Sequence, residues 1–105
     1  METLARLEQT IAARLASGDA QSSYVAQLRA RGLPVIARKL GEEAVETITA
    51  ALAGTREELT GEAADVLFHL MVLLGEKGIG LADVLAELDR REGTSGLDEK
   101  AGRSA

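Results

Sequence analysis

Apolar residues recur along the chain at three- and four-residue steps, and no run alternates with the period of two that a half-buried strand requires. An all-α domain follows. In the first segment Leu4, Leu7, Ile11 and Leu15 form one stripe, which Ser17-Gly18-Asp19 breaks. Ser22 or Ser23 can cap a short second helix through Val25 and Leu28, with Gly32 as its stop beyond Arg29 and Arg31. Pro34, the only proline, suits a first helical turn, where a missing N–H costs nothing, and opens a helix to about Ala53 with Gly54 as its stop. Thr55 and Glu58 spell a capping box for a long helix to about Lys77, ending at Gly78. Val84, Leu85 and Leu88 pattern a last helix over about Leu81 to Glu92, closed by Gly93. The polar stretch 94–105, taken alone, reads as disordered. No repeat, heptad array or composition shift divides the chain, so residues 1–105 read as one domain. Its frame is a bundle built on the two long helices, folded antiparallel by the short Gly54-Thr55 link.

Composition changes this picture in one respect. Hydrophobic residues make up 46% of the 105 positions but aromatics only 2%, Tyr24 and Phe68, so the core is built from Ala, Leu, Val and Ile. A chain of this size buries roughly two-thirds of its unfolded surface, a thin core that a second copy would complete, and a homodimer or larger assembly is expected. The absence of Cys excludes a disulfide scaffold and a thiolate zinc site and fits a reducing compartment. The longest apolar stretch, Val66 to Leu74, is nine residues and contains His69, against about 20 for a membrane span. The opening METLARLEQT lacks the basic start and apolar run of a signal peptide, and a soluble cytoplasmic protein is expected. A net charge of −5 opposes long-range attraction to nucleic acid or anionic membranes. It leaves open anionic substrates reached through a bound cation.

The candidate chemistry lies on the two long helices: Glu42-Glu43-Ala-Val-Glu46 on one, Glu62-Ala-Ala-Asp65 on the other. At about 100° per residue, Lys39, Glu43 and Glu46 fall within roughly 60° of one another, and Glu62 and Asp65 are about 60° apart with Glu58 and His69 between them. Each acidic stripe borders an apolar one: Ile36, Leu40, Ala44 and Ile48 beside the first, Val66, Leu70 and Leu73 beside the second. A hairpin that buries the apolar stripes brings both acidic stripes to one seam. At an effective dielectric of 20, two unit charges 4 Å apart repel by about 4 kcal/mol, so the cluster calls for a cation. An all-oxygen set suits Mg²⁺. A di-iron bundle would want Glu-x-x-His pairs, whereas the second motif ends in Asp65 with His69 a turn further on, which ranks iron below magnesium. Against this stands the solvated-face reading, in which the acids serve solubility, Lys39 pairs with Glu43, and His69 only packs. Gly41 and Gly61, inside helices, allow close helix approach or room beside a ligand.

The paired EExxE and ExxD motifs resemble the Mg²⁺-binding signature of the all-α nucleoside-triphosphate pyrophosphohydrolase superfamily, which includes MazG-type and dimeric dUTPase members. Flanking blocks narrow the resemblance to the phosphoribosyl-ATP pyrophosphohydrolase family of histidine biosynthesis. These are SSY at 22–24, RKLGEEAVE at 38–46, EAADVLFHL at 62–70, DVLAELDRR at 83–91 and GTSGLDEKA at 93–101. Minor departures are Arg38 where lysine is frequent, Val25 where threonine often follows the tyrosine, and Phe68 where tyrosine is usual.

The resemblance implies hydrolysis of phosphoribosyl-ATP to phosphoribosyl-AMP and pyrophosphate. It further implies Mg²⁺ on Glu43, Glu46, Glu62 and Asp65, with Glu42 left over as water-orienting base or ligand to a further ion. Arg38, Lys39, Arg91 and Lys100 are the implied phosphate partners; Ser22, Ser23 and Tyr24 would hold ribose or phosphate through hydroxyls, unless the serines merely cap. The recurrence of the tail motif implies that Ser95, Gly96 and Lys100 order over substrate. Relatives fused to the next enzyme of the pathway carry metal-binding cysteines, so a stand-alone form is implied here. Two other readings remain at this point: a housekeeping pyrophosphohydrolase of free nucleotides, and a catalytically silent dimerisation module.

Overall fold

Five helices form at the predicted positions in the computed structural model, which describes residues 2–93 together with Gly96, Lys100 and Gly102. They are α1 (Glu2–Ser17), α2 (Tyr24–Arg31), α3 (Leu33–Ala53), α4 (Arg56–Glu76) and α5 (Leu81–Arg91), and no strand occurs among the described residues. The ends follow from local chemistry. Of the two candidate caps, Ser23 is the one used: its Oγ accepts from the Ala26 N–H at 3.2 Å. Gly32 then turns the chain from α2 into α3 at φ 103°, a left-handed conformation that favours glycine, while its N–H closes α2 on the Leu28 and Arg29 carbonyls. The capping box at α4 is complete, with Glu58 N–H donating to Thr55 Oγ1 at 3.1 Å and Thr55 N–H donating to Glu58 Oε1 at 2.7 Å. Lys77 and Glu92 are C-caps, so α4 and α5 each stop one residue before the predicted end. Within the polar tail Gly96, Lys100 and Gly102 have helical backbone, where composition alone predicts disorder. Composition measures the burial a segment can gain, whereas local backbone hydrogen bonds form without burial.

The hairpin of α3 on α4 is the dominant contact; α1 packs on α4 and on α2, and α2 packs on α3. Ile11, Leu15, Val25, Leu28, Ile36, Met71 and Val72 form the core. Ile36 lies near the start of α3 and Met71 and Val72 near the end of α4, so the core wraps one end of the hairpin. There Gly75 lets α1 lie close, since a Cβ would stand 3.0 Å from Leu15 Cδ1. By contrast, Gly41 and Gly61 face open space, so close packing within the chain is not their purpose.

The hairpin's other end is bare. Val45, Ile48 and Leu52 form one exposed stripe on α3, Leu52 being 83% exposed, and α5 contributes no buried residue although Leu88 lies on it. The accessible surface is 7213 Å², against about 5600 Å² for a compact monomer of this size. The radius of gyration is 15.8 Å, where a compact domain of this length gives about 13 Å. The acidic motifs lie between the covered and the uncovered end of the hairpin.

Candidate metal centre

One carboxylate oxygen from each of Glu43, Glu62 and Asp65 lies within 4.8 Å of the other two. Helix α3 supplies the first and α4 the others, because residues three or four apart share a helix face and the two-residue link fixes the helices antiparallel. Glu46, one turn beyond Glu43, lies outside that three-oxygen group but close enough for its charge to raise both Glu43 and Glu62. Three of the four carboxylates read from the motifs therefore converge at one seam, with Glu46 beside them.

The seam is short of donors. Glu43 Oε2 and Glu62 Oε2 are buried and have no hydrogen-bond partner, an arrangement that costs free energy unless something else pairs with them. Burial first, then the neighbouring Glu46, Asp65 and Glu62, pushes the Glu43 carboxyl up to about 7. Burial and Glu46 raise Glu62 in the same direction. Carboxyls raised by desolvation and by one another lower their energy by holding a proton or by sharing a cation. Oxygen-only donors that close together suit a hard divalent ion.

Glu42 stands apart from the three-oxygen group. Its carboxylate is 3.5 Å from Arg38 Nε, an exposed pair, and 3.7 Å from Nζ of the half-buried Lys39. Lys39 thus pairs with Glu42 and not with Glu43, because Glu43 is turned into the seam toward α4. The effect is two cations and a carboxylate beside the acidic cluster.

The remaining candidates divide. Ser22 Oγ donates to Asp19 Oδ2 at 2.6 Å in the loop before α2, and this bond, with backbone N–H groups, holds Asp19 below its ordinary range. Ser23 is buried, and its Oγ caps α2 by accepting from the Ala26 N–H. Arg91 is held by Glu87 on its own helix at 2.9 Å, and Arg90 and Arg91 together bring the Glu87 carboxyl down to about 2. Lys100 is exposed, and Ser95 lies outside the described residues. Tyr24, at the start of α2, meets His69 of α4, with Oη 3.0 Å from Nε2. His69 packs, as the solvated-face reading has it, but it also bonds the candidate substrate residue Tyr24. Residues 45 apart in sequence carry no local signal of such a pair.

Known proteins resemble this chain over nearly its whole length. The family model described as phosphoribosyl-ATP pyrophosphohydrolase matches residues 4–92. A phosphoribosyl-ATP pyrophosphatase of Rhizorhabdus wittichii is 70% identical over 101 residues, 96% of this chain and 94% of that protein. Its counterpart in Erythrobacter litoralis is 65% identical over 98% of both chains. That of Novosphingobium aromaticivorans is 65% identical over 98% of this chain and 95% of its own.

Proposed function

We propose that this chain, which belongs to the phosphoribosyl-ATP pyrophosphohydrolase family, works with Mg²⁺ held by Glu43, Glu46, Glu62 and Asp65. The reaction is hydrolysis of phosphoribosyl-ATP to phosphoribosyl-AMP and pyrophosphate, a step of histidine biosynthesis. The observation that carries the metal reading is the pair of buried, unpartnered oxygens on Glu43 and Glu62, which converge with Asp65. When bound, the ion supplies positive charge to phosphate oxygens and acidifies coordinated water. Glu42, exposed beside the cluster, is assigned as the water-orienting base. Arg38 and Lys39 at its side offer cations to the polyphosphate. Among the described residues no helix is long and apolar enough to cross a membrane, and it is the place of the family in histidine biosynthesis that supports a cytoplasmic location.

The test is a set of melting curves with and without Mg²⁺. Glu43 titrates near 7 in the folded chain against an ordinary 4.5, so the folded state holds that proton more tightly. The stability it contributes is whole below about 4.5 and is lost as pH rises through 7. Glu62 acts in the same sense, whereas the lowered Glu87 contributes oppositely but only below about 4.5. The metal-free protein should therefore melt several degrees higher at pH 5 than at pH 8. Mg²⁺, or Mn²⁺ in its place, should reverse the loss at pH 8 and do little at pH 5, where protons compete for the same oxygens. A melting temperature at pH 8 indifferent to both ions refutes the site.

Assembly belongs to the same reading. The Val45, Ile48 and Leu52 stripe, the unburied α5 and the surplus surface support a homodimer or larger species in which a second copy covers the bare end of the hairpin. Sedimentation at micromolar concentration should show no monomer, and a compact, active monomer would rule this out.

A further inference from the structure

Helix α5 is amphipathic and yet has no buried residue. Val84, Leu85 and Leu88 lie within about 100° of one another around its axis, and Leu88 is 55% exposed. Among the described residues only its first turn is fixed to the bundle. Leu81 packs against the core, and its N–H donates to Oε2 of Glu8 on α1 at 2.6 Å. Beyond that point α5 makes only slight contact with the other helices.

A second unpartnered apolar face lies on α3, where Val45, Ile48 and Leu52 follow one another at three- and four-residue steps and Ile48 is 59% exposed. The two faces are out of reach of each other within one chain. Glu43 faces Glu62 and Asp65 across the seam, so Ile48, further toward the link, stands level with Thr60. Leu81 is held at the other end, where it lines a cleft beside α1 together with Gly75. From Gly75 to Thr60 helix α4 spans about 22 Å, whereas Leu88 stands only about 10 Å beyond the anchored Leu81.

A second copy closes both faces with one kind of contact made twice, α5 of each chain on α3 of the other, about a two-fold axis. Any other partner would have to match two separate surfaces. The area is sufficient: the surplus of accessible surface over a compact monomer exceeds the roughly 800 Å² per partner that a standard interface covers.

We propose that α5 is a crossing arm, which packs Val84, Leu85 and Leu88 on the Val45, Ile48 and Leu52 stripe of a second copy. The contact reaches the acidic site, because Val45 also lines an open cavity of about 600 Å³ with Arg38, Gly41, Glu42 and Glu46. Gly41, which faces open space in its own chain, leaves room there for the arm. The proposal rests on the assembly reading above and names its two surfaces. A dimer joined elsewhere removes the proposal and leaves that reading standing.

The chain has no cysteine, so engineered disulfides report the contact without interference. Leu88→Cys is combined in one chain with Val45→Cys, Ile48→Cys or Leu52→Cys, and each double variant is oxidised. A bridge needs Cα atoms within about 7 Å. At least one double variant should form a covalent dimer, with peptide mapping joining residue 88 to α3.

Sedimentation equilibrium gives the second measurement. Leu88→Glu and Ile48→Lys should each raise the dimer dissociation constant at least roughly tenfold, because an unpaired charge is costly to bury. Helix content should stay unchanged, since both residues are exposed in the single chain. The combination Leu88→Glu/Ile48→Lys should recover much of the lost affinity, the two charges meeting across the contact. Disulfides that are absent from all three variants, or that close within one chain as α5 folds back on its own bundle, overturn the proposal. So does unchanged association in either single charge variant, or a combination no better than the weaker single.

Discussion

Glu46→Gln and Asp65→Asn should each abolish turnover while leaving the fold intact. Each substitution keeps the shape of the side chain, removes one negative charge and introduces an N–H into a cluster that has buried oxygens without donors. Loss of one electrostatic anchor from a preorganised site costs about a hundred- to a thousandfold in rate, and loss of a ligand to the ion on which the site depends should fall at or beyond the upper end. The same change relieves repulsion around Glu43, whose carboxyl is already pushed up to about 7 by burial and by its acidic neighbours. The metal-free variants should thus melt no lower than wild type at pH 8, and the stabilisation by Mg²⁺ should shrink or vanish. Glu42→Gln provides the contrast. Turned away to pair with Arg38 and Lys39, it should lose about a hundredfold or more in kcat as a proton acceptor yet keep the response to Mg²⁺ in melting curves. Near wild-type activity in Glu46→Gln or Asp65→Asn would show that the carboxylates are not the metal site.

Truncation after Gly93 should lower kcat/KM for phosphoribosyl-ATP far more than for ATP. The substrate carries a second phosphoribosyl group, and its added phosphate is a handle for cations away from the metal carboxylates. Lys100, exposed on the segment that also holds Ser95 and Gly96, is the candidate for part of that handle. One charge-assisted phosphate contact is worth about 1.5 to 3 kcal/mol, or roughly ten- to a hundredfold in the ratio of the two specificity constants. ATP hydrolysis, which relies chiefly on the carboxylate cluster, should change little. Equal losses on the two substrates would assign the tail to folding or assembly, and equal turnover of both by the full-length protein would mark a general nucleotide hydrolase.

The helices were legible because what starts and stops them acts within one turn. Thr55 and Glu58 cap each other three residues apart, and Gly32 closes α2 on carbonyls three and four residues back. The carboxylate cluster was legible for a related reason: each motif is a one-turn pair, and a link as short as Gly54-Thr55 leaves two long amphipathic helices no arrangement but the antiparallel one. Elsewhere local information ran out. Ser22 and Ser23 are adjacent and both able to cap, and only the path of the loop gives Asp19 to the first and the end of α2 to the second. Lys39 can reach an acid three or four residues on, and the choice of Glu42 depends on Glu43 having turned toward α4.

Helix positions and the convergence of Glu43, Glu62 and Asp65 were thus determined by the sequence itself, through forces that decay within a few residues and a topology with one outcome. The tertiary structure alone decided which end of the hairpin is covered and that Tyr24 meets His69. Both depend on the docking of α1 and α2 against α4. The Tyr24–His69 contact joins groups 45 positions apart, which nothing local brings into register.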